Sequence, residues 1–318
     1  MPLNVAVVMN PIGSIKIAKD TSFAMLLEAQ RRGHRLHYVA PGSLGVADGR
    51  AMARLAALGV RDQAGDWFTL GEAGVRPLAG MDVVLMRTDP PVDAAYLHDT
   101  LILEMAKAEG VLVVNDPTGL RDLNEKLAAL LFPQCCPPTL VSRDPVLLKE
   151  FIAHHSRCVV KPLDGMGGRS IFQVSHGDPN TNVILEALLG SGDQLAMAQK
   201  YIPEIRDGDK RILLVDGTPV PFCLARIPQG GEFRGNLAAG GRGEGRPLSD
   251  RDRWIAAQVG PELRRRGMLF VGLDVIGDYL TEVNVTSPTC VRELDQQFGL
   301  NIAGSLFDVI EARCATRH

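Results

Sequence analysis

Short apolar runs alternate with amphipathic segments along the first third of the chain. Runs typical of buried strands occupy residues 5–9, 36–39, 82–86 and 111–114. The segment after the first run predicts a helix, because Asp20 or Thr21 can cap it and Gly33 can end it. A second helix is predicted over residues 94–109. Strands that alternate with helices predict an α/β domain with a parallel, doubly wound sheet.

Two segments follow strands of this predicted sheet directly. Arg87 comes after the third apolar run, and the loop that starts at Asn10 comes after the first. In open parallel sheets the ligand sits beyond the carboxyl ends of the strands. We therefore expect both segments to lie at a binding site.

After residue 116 the pattern becomes richer in hairpins. A helix that carries Lys126 is predicted over residues 120–131, and others over 145–155, 250–266 and 301–313. Paired strands are predicted at residues 158–161 with 170–174, at 211–215 with 219–225, and at 269–276 with 280–285. Asp216-Gly217 joins the second pair as a typical hairpin turn.

The composition is that of a globular protein that binds small molecules. Apolar residues make up 46% of the chain and charged residues 22%, which predicts a sizeable core and argues against disorder. The net charge of -3 includes no long basic run, so nucleic acid and membrane surfaces are not expected as partners. The length of 318 residues predicts two or three substructures.

The N-terminus and the cysteines predict a cytoplasmic protein. The first residues lack the basic region and the long apolar stretch of a signal peptide, and no run is long enough to cross a membrane. The six cysteines form no C-x-x-C pair, and the adjacent Cys135 and Cys136 are poorly placed for a disulfide. Asn284-Val285-Thr286 has the pattern of a glycosylation acceptor, but modification is not expected in a reducing compartment.

The stretch VVKPLDGMGGRS combines a strand-borne lysine, Lys161, with a glycine-rich turn. Glycines let backbone N–H groups approach phosphate oxygens, and the lysine adds a point charge. A Walker A loop is excluded, because G-x-x-x-x-G-K-[ST] does not occur and a strand follows the turn. A phosphate site and a plain hairpin with a surface lysine both fit this stretch alone.

The hairpin GLDVIGDYLTEVNV carries a candidate cation site. A two-residue turn at Gly277-Asp278 pairs Asp274 with Thr281 and turns Glu282 to the other face. A three-residue turn pairs Asp274 with Glu282, and both then share a face with Asn284. Two carboxylates and an amide oxygen suit Mg²⁺. A solvated hairpin face with scattered acids is the alternative.

The segment IPQGGEFRGNLAAGGRGEGRP, residues 227–247, is rich in glycine and in hydrogen-bond donors. Arg234, Asn236 and Arg242 lie in it, and Arg226 precedes it. Such a stretch behaves as a lid that closes over a reactive intermediate and excludes water. A disordered surface loop is the alternative.

Taken together, these segments resemble the prokaryotic glutathione synthetases of the ATP-grasp superfamily. The blocks that carry the resemblance are DTSFAMLLEAQRRGH, LMRTDPP, RDLNEKL, KPLDGMGG, IRDGDKRILLVDG, CLARIPQGGEFRGNLAAGGRGE and FVGLDVIGDYLTEVNVTSPTC. They run through most of the chain in this order. The resemblance implies a doubly wound N-terminal domain of residues 1–121 and an ATP-grasp domain of residues 122–318. The latter consists of two α+β subdomains, 122–200 and 201–318, with the lid at 227–247.

The resemblance also implies an ATP-dependent peptide ligase. In that reaction ATP phosphorylates the cysteinyl carboxylate of γ-glutamylcysteine, and the glycine amine attacks the acyl phosphate to give glutathione, ADP and phosphate. Arg211 and Lys161 are implied as catalytic residues, with Arg211 stabilising the transferring phosphoryl group. The implied ATP contacts are Lys126, Lys161, Gly165, Met166, Gly167, Gly168, Gln199, Tyr201, Ile202, Asp209 and Arg211.

A substrate pocket, a metal site and an assembly follow from the same resemblance. The implied contacts to peptide and glycine are Arg87, Arg226, Arg234, Asn236, Gly240, Gly241, Ser287, Thr289 and Glu293. Two Mg²⁺ ions, replaceable by Mn²⁺, are implied at Asp274, Glu282 and Asn284. A homotetramer is implied as the assembly.

One position departs from the family pattern. Asn10 stands where an acidic residue is expected, which puts a charge-based role of this position in doubt. Cys135 and Cys136 lie in a variable linker and receive no role. Two alternatives stay open: a dipeptide ligase of the D-alanine type, which would differ at Arg87 and in the lid, and a non-catalytic ATP-binding module, which would lack a metal ligand.

Overall fold

Three β-sheets organise the part of the chain that this computed structural model describes, residues 1–165, 167–230, 235 and 240–316. The sheets have six, four and five strands and follow one another along the sequence. Helices pack on these sheets. None of the helices within the described ranges is long and apolar enough to cross a bilayer.

The first sheet forms the N-terminal domain and is parallel at its centre. Its strands are β1 (Asn4–Met9), β2 (Arg35–Ala47), β3 (Arg50–Val60), β4 (Phe68–Pro77), β5 (Val83–Arg87) and β6 (Leu112–Val114). They lie in the order β4-β3-β2-β1-β5-β6, with β1 parallel to β2 and β5, and β5 parallel to β6. The helices of this domain are α1 (Thr21–Arg31), α2 (Ala94–Ala108) and α3 (Pro117–Asp122).

Helices cover both faces of this sheet, as the alternating pattern predicts. Asp20 caps α1, because its Oδ1 accepts the Phe23 N–H at 2.7 Å. Successive residues of β1 point to opposite faces: Val7 packs in one core cluster with Phe23 of α1, and Val8 packs in another with Leu103 of α2. The doubly wound domain is therefore confirmed.

Two antiparallel strands extend this sheet beyond the predicted elements. Strand β3 pairs antiparallel with β2, and β4 pairs antiparallel with β3. The sequence of β3, RAMARLAALGV, is rich in alanine, which is depleted in strands, so the pattern does not predict it. Pairing with β2 decides its conformation.

The second sheet is antiparallel and carries the glycine-rich hairpin. Its strands are β7 (Thr139–Ser142), β8 (Arg157–Pro162), β9 (Phe172–Ser175) and β10 (Ala196–Lys200), in the order β7-β10-β8-β9. Its helices are α4 (Pro145–His155) and α5 (Thr181–Leu189). Leu148 and Ile152 of α4 pack with Val160 and Ala198 of the sheet in a separate core.

The third sheet is also antiparallel and includes the predicted cation-site hairpin. Its strands are β11 (Asp209–Val215), β12 (Thr218–Ile227), β13 (Arg242–Pro247), β14 (Phe270–Ile276) and β15 (Tyr279–Asn284). Their order is β13-β12-β11-β14-β15. The helices that follow are α6 (Asp250–Arg265), α7 (Val291–Phe298) and α8 (Ile302–Ala315). Residues 227 and 242–247 of the predicted lid are therefore strand residues.

Polar contacts join the third sheet to the N-terminal domain. The Asn115 side chain donates to the carbonyls of Phe270 and Val285, each at 2.7 Å. At the other end of the domain, Arg32 pairs with Asp308 of α8 at 2.8 Å. These contacts fix the position of the first sheet relative to the third, with a space left between the two sheets.

The predicted helix over residues 120–131 is wrong. Helix α3 ends at Asp122, and Lys126 lies in a turn ahead of a short 3₁₀ helix, Ala128–Leu131. The Asn124 side-chain oxygen accepts the N–H groups of Lys126 and Leu127, each at 3.1 Å. Asparagine side chains compete with helical hydrogen bonds in this way, which explains the break.

Glu28 in α1 is expected to make a pH-dependent contribution to stability. Hydrogen bonds from Arg31 and Arg32 lower the pKa of Glu28 from 4.5 to about 2, although burial opposes the shift. A lowered carboxylate pKa stabilises the fold above pH 4.5, and this stabilisation is lost as the pH falls toward 2. We expect Glu28→Gln to lower the free energy of unfolding by about 1–2 kcal/mol at pH 7, and by less at pH 3, where part of this stabilisation is lost, in urea denaturation.

Glu262 offers the matched control. Arg265 and Arg266 also lower the pKa of Glu262 to about 2, but its side chain is 29% exposed, against 7% for Glu28. Solvent screens such a pair, so Glu262→Gln should change the free energy of unfolding by less than about 0.5 kcal/mol. An effect of Glu28→Gln as small as that of Glu262→Gln, or one as large at pH 3 as at pH 7, would count against the prediction.

Candidate active site

A cleft of about 500 Å³ lies where the three sheets meet. Strand ends and loops of all three sheets line it, with Arg87 from β5, Lys161 from β8 and Asp274 from β14. Its walls therefore come from segments that are far apart in sequence. The predicted site residues that line it are Arg87, Lys126, Lys161, Gly165, Gly167, Gly168, Gln199, Tyr201, Ile202, Asp209, Arg211, Arg226, Asp274, Glu282, Asn284, Ser287, Thr289 and Glu293.

Two buried lysines from different segments meet Glu282 in the cleft. The Nζ atoms of Lys126 and Lys161 each lie 3.6 Å from Glu282 Oε1. Lys126 also donates to the Gly165 carbonyl at 2.8 Å, so it reaches the glycine-rich turn from the turn that replaces the predicted helix. Burial lowers the pKa of Lys161, and Glu282 opposes this shift. Two cations beside one carboxylate form a positive site that suits phosphate groups.

The glycine-rich turn joins β8 to β9 as predicted. Gly167 and Gly168 have φ angles of 65° and 81°, a left-handed conformation that favours glycine. Lys161 is 6% exposed, so the alternative of a plain hairpin with a surface lysine is wrong. Met166, predicted as an ATP contact, lies outside the described residues.

The carboxyl end of β10 gives the cleft an apolar wall that carries one amide. The Gln199 side chain is buried and donates to the Thr139 hydroxyl at 3.1 Å. Tyr201 follows, with the Arg157 guanidinium 3.9 Å from its ring centroid, and Ile202 is buried. Aromatic and aliphatic side chains beside an amide suit the face and the edge of a nucleobase.

The β14–β15 hairpin places Asp274 opposite Glu282 by a route that neither predicted turn describes. Its turn has two residues, because Ile276 pairs with Tyr279. A β-bulge at Thr281 then shifts the register by one residue, so that Asp274 pairs with Glu282. The buried Thr281 hydroxyl donates to the Asp274 carbonyl at 3.1 Å and so holds the bulge in place.

Asp274 stands between two arginines at the centre of the cleft. Arg211 donates to its two carboxylate oxygens at 2.5 and 3.1 Å, and Arg226 Nη2 lies 2.8 Å from Oδ2. Burial would raise the pKa of Asp274, but the two guanidiniums outweigh it and hold this pKa well below the usual range. The Arg211 guanidinium is therefore buried, charged and held in one orientation.

Asp209 is a second acid beside Arg226. Its Oδ2 accepts from Arg226 Nη2 at 2.5 Å, whereas its buried Oδ1 has no hydrogen-bond partner among the described residues. Burial raises the pKa of Asp209 to about 6, with Arg226 opposing the shift. An unpartnered buried oxygen at the cleft can accept a hydrogen bond from a ligand.

The hairpin residues fit the oxygen ligands of a divalent cation. Asp274, Glu282 and Asn284 share one face and line the cleft. The Asn284 amide donates to the Gly272 carbonyl at 3.3 Å, so its Oδ1 is the atom available as a ligand. Within the described ranges no three His, Cys, Asp or Glu side chains cluster, so a cation here needs the amide and phosphate oxygens as well.

Arg87 connects the N-terminal domain to the turn after β15. It donates to the Ser22 hydroxyl at 3.0 Å and to the Pro288 carbonyl at 2.9 Å. Burial lowers the pKa of Arg87 to about 10, with Asp20 and Asp89 opposing the shift. Arg87 is therefore still a cation near pH 7.

The turn and α7 complete this wall of the cleft. Ser287, Thr289 and Glu293, which the resemblance implies as substrate contacts, line it. Burial raises the pKa of Glu293, and its Oε2 has no hydrogen-bond partner in the described part of the chain. This wall therefore offers hydroxyls and an available carboxylate oxygen.

Charged residues that the sequence analysis did not assign also line the cleft. They are Lys16, Lys19, Asp20, Asp89, Glu125, Arg169 and Lys200. The sequence analysis identified Asp20 only as a helix cap. Asp89 lies two residues after Arg87 in the LMRTDPP block, and this closeness was the signal that could have identified it as a site residue. Asn10 donates to Asp89 Oδ2 at 2.8 Å, so a carboxylate at position 10 would repel Asp89 in place of this hydrogen bond.

The structure describes only some of the residues that are predicted to contact the substrate from the lid. Arg234 and Asn236 lie outside the described residues. Gly240 and Gly241 are described and are not among the residues that line the cleft, whereas Gly235 is.

Comparison with known families matches both regions of the chain. Residues 125–299 match the prokaryotic glutathione synthetase ATP-grasp domain, and residues 3–121 match the prokaryotic glutathione synthetase N-terminal domain. The glutathione synthetase of Xanthomonas axonopodis pv. citri is 71% identical over 315 residues, which cover 99% of this chain and 100% of that one. The glutathione synthetase of Escherichia coli O157:H7 is 56% identical and covers 98% of this chain and 99% of its own.

Solved structures share the architecture at low identity. D-cycloserine synthetase DcsG aligns with a TM-score of 0.65 at 14% identity, over 99% of this chain and 100% of that one. The ATP-grasp ligase PsnB, complexed with minimal precursor, Mg and ADP, aligns with a TM-score of 0.60 at 17% identity, over 98% of both chains. At these identities the likeness shows the fold alone, and it confirms the predicted ATP-grasp arrangement.

Proposed function

The chain belongs to the prokaryotic glutathione synthetase family, and from that premise we propose how its cleft joins glycine to γ-glutamylcysteine. The protein is an ATP-dependent peptide ligase that forms a carbon–nitrogen bond. The observation that carries the proposal is the convergence of Lys126, Lys161 and Glu282 beside Arg211 in one cleft.

ATP is proposed to lie between the glycine-rich turn and the end of β10. Lys126 and Lys161 bind its phosphates as point charges, together with N–H groups of the turn at Gly165, Met166, Gly167 and Gly168. Gln199, Tyr201 and Ile202 border the adenine. The unpartnered Oδ1 of Asp209 accepts a hydrogen bond from the nucleotide.

Arg211 is proposed to stabilise both chemical steps. The cysteinyl carboxylate of the peptide attacks the γ-phosphorus, and the bond between that phosphorus and the oxygen of ADP breaks. The glycine amine then attacks the acyl carbon, the bond to phosphate breaks, and the nitrogen loses its proton. Negative charge develops on oxygen in each step. A buried guanidinium that Asp274 already orients meets that charge without reorganisation.

Mg²⁺ bound with ATP would neutralise phosphate charge and so favour phosphoryl transfer. Glu282 and Asn284 are proposed as its ligands in a two-ion site. Asp274 is the third proposed ligand, because a carboxylate oxygen has lone pairs beyond those that its arginine partners use. Mn²⁺ is proposed as a substitute, since both ions suit oxygen ligands.

The peptide and glycine are proposed to lie against the N-terminal wall and the turn after β15. Arg87, Arg226, Ser287, Thr289 and Glu293 contact them. Lys19 and Asp89 at the same wall suit the carboxylate and the ammonium of a γ-glutamyl group. The resemblance adds Arg234, Asn236, Gly240 and Gly241 as lid contacts that exclude water from the acyl phosphate.

The reaction is tested by phosphate release from ATP and Mg²⁺ in the presence of γ-glutamylcysteine and glycine. We expect sustained release to require both substrates, and mass spectrometry to show glutathione as the product. Replacement of both substrates by D-alanine is the control and should give no sustained release. Sustained release with ATP alone, or with D-alanine, would contradict the proposed function.

The organisation of the protein is proposed to follow the same family. The proposed units are residues 1–121, 122–200 and 201–318, with the lid at 227–247. A homotetramer is proposed from the resemblance, and a cytoplasmic location is proposed because all six cysteines are free thiols.

A further inference from the structure

Glu125 covers the outer edge of the strand that carries the proposed metal ligands. Strand β15 lies at the edge of its sheet, where backbone N–H groups need partners from outside the sheet. The Val283 N–H donates to the Glu125 carbonyl at 2.8 Å. The N–H groups of Val285 and Thr286 donate to Glu125 Oε1 at 3.1 and 3.2 Å, and the Thr286 hydroxyl donates to the same oxygen at 2.8 Å.

The neighbours of Glu125 reach the opposite wall of the cleft. The Asn124 amide donates to Asp164 Oδ1 at 3.3 Å, and Lys126 donates to the Gly165 carbonyl at 2.8 Å. Three consecutive residues thus contact both the glycine-rich turn and the end of β15. Because Glu125 is also the first residue of the matched ATP-grasp region, the two walls are tied together where that region begins.

We propose that Glu125 is a positioning residue, which fixes the end of β15 so that Asn284 and Ser287 face the cleft. These two residues flank Val285 and Thr286, the segment that Glu125 holds. One carboxyl oxygen that accepts hydrogen bonds from three donors is an effective anchor for Val285 and Thr286. This role rests on the proposed function, because Asn284 and Ser287 are proposed contacts to metal and substrate.

Glu125→Ala removes the acceptor of all three side-chain hydrogen bonds. The turn can then shift, and a small displacement of ligating groups has a large effect on turnover. We expect kcat/KM for γ-glutamylcysteine and glycine to fall by about 10–100-fold. ADP binding in the absence of Mg²⁺ and peptide, measured by calorimetry, should be retained. A merely structural role would instead reduce the active fraction and leave the KM values unchanged.

Hydrogen exchange of the ligand-free protein gives a readout that does not depend on turnover. In Glu125→Ala, the backbone amides of residues 280–290 should exchange faster than in the wild type. Glu125→Gln keeps an acceptor oxygen and should recover part of both the protection and kcat/KM. Asp82→Ala is the matched control, because Asp82 Oδ2 accepts the Asn4 N–H at 2.6 Å at the start of β1, and neither residue lines the cleft.

Wild-type exchange of residues 280–290 together with wild-type kcat/KM in Glu125→Ala would overturn the proposal. If that variant does not fold, Glu125→Gln and Thr286→Val replace it. Thr286→Val removes one of the three donors. Exchange of residues 280–290 at the wild-type rate in both of these variants would therefore also overturn the proposal. If the wild-type protein makes no glutathione, the proposed function fails, and the exchange experiment still decides whether Glu125 holds the turn.

Discussion

Arg211→Ala is expected to lower kcat by about 10²–10³-fold, because it removes a preorganised cation from the oxygens that gain charge. Arg211→Lys restores the charge but not the paired N–H groups that contact the two oxygens of Asp274, so it should restore activity only in part. The KM for ATP should change less than kcat, since Lys126 and Lys161 bind the phosphates. Steady-state phosphate release with varied ATP separates the two quantities.

A matched control is available in another arginine–aspartate pair. Arg313 Nη2 lies 2.6 Å from Asp216 Oδ1, away from the residues that line the cleft. Arg313→Ala should therefore keep the wild-type kcat. Removal of Arg211 also leaves Asp274 with Arg226 as its ion-pair partner, so near-ultraviolet circular dichroism must show that the variant is folded. A folded Arg211→Ala protein with wild-type kcat would refute the proposed role.

Glu282→Ala is expected to abolish measurable turnover through two effects. The proposed Mg²⁺ site loses a carboxylate ligand, and Lys126 and Lys161 lose the carboxylate that lies 3.6 Å from each of them. Glu282→Gln keeps the shape and one oxygen but not the charge. It should require at least about 10-fold more Mg²⁺ for half-maximal activity, since divalent-cation affinity depends on the charge of the ligands.

Thermal unfolding and a control variant separate these effects from loss of the fold. Thermal unfolding should give similar transition temperatures for Glu282→Ala and the wild type, because Glu282 is a partly exposed strand residue. Glu72→Ala is the control, since Glu72 is an exposed strand residue outside the cleft. If Glu282→Ala is active and needs no more Mg²⁺ than the wild type, the metal site is wrong. The alternative interpretation, a solvated hairpin face with scattered acids, would then hold.

Elements whose signals are local were predicted well. Helix α4 has the predicted bounds, because Asp144 and Pro145 mark its start within a few residues of sequence. The hairpin around Asp216-Gly217 formed as predicted, and both turn residues have positive φ. Elements that depend on distant partners were not predicted. Strand β3 forms against β2 despite its alanine content, and the helix expected at Lys126 gives way to a turn that Asn124 caps.

The sequence by itself determined the family and the order of the substructures, and it predicted many of the residues that line the cleft. It left one geometric question open, whether Asp274 stands opposite Glu282. The turn length alone gives the wrong answer, since the observed two-residue turn would pair Asp274 with Thr281. The tertiary structure decides the register through a bulge at the buried Thr281.

The tertiary structure also decided which charged groups of the site form ion pairs and which residue holds the end of β15 in place. Asp274 is an ion-pair partner of Arg211 and Arg226 as well as a candidate metal ligand, and Glu125 anchors a strand end about 160 residues away in sequence. Such contacts arise when segments from three sheets close around one cleft. Local patterns of apolar and polar residues cannot specify them, because their partners come together only when the chain is folded.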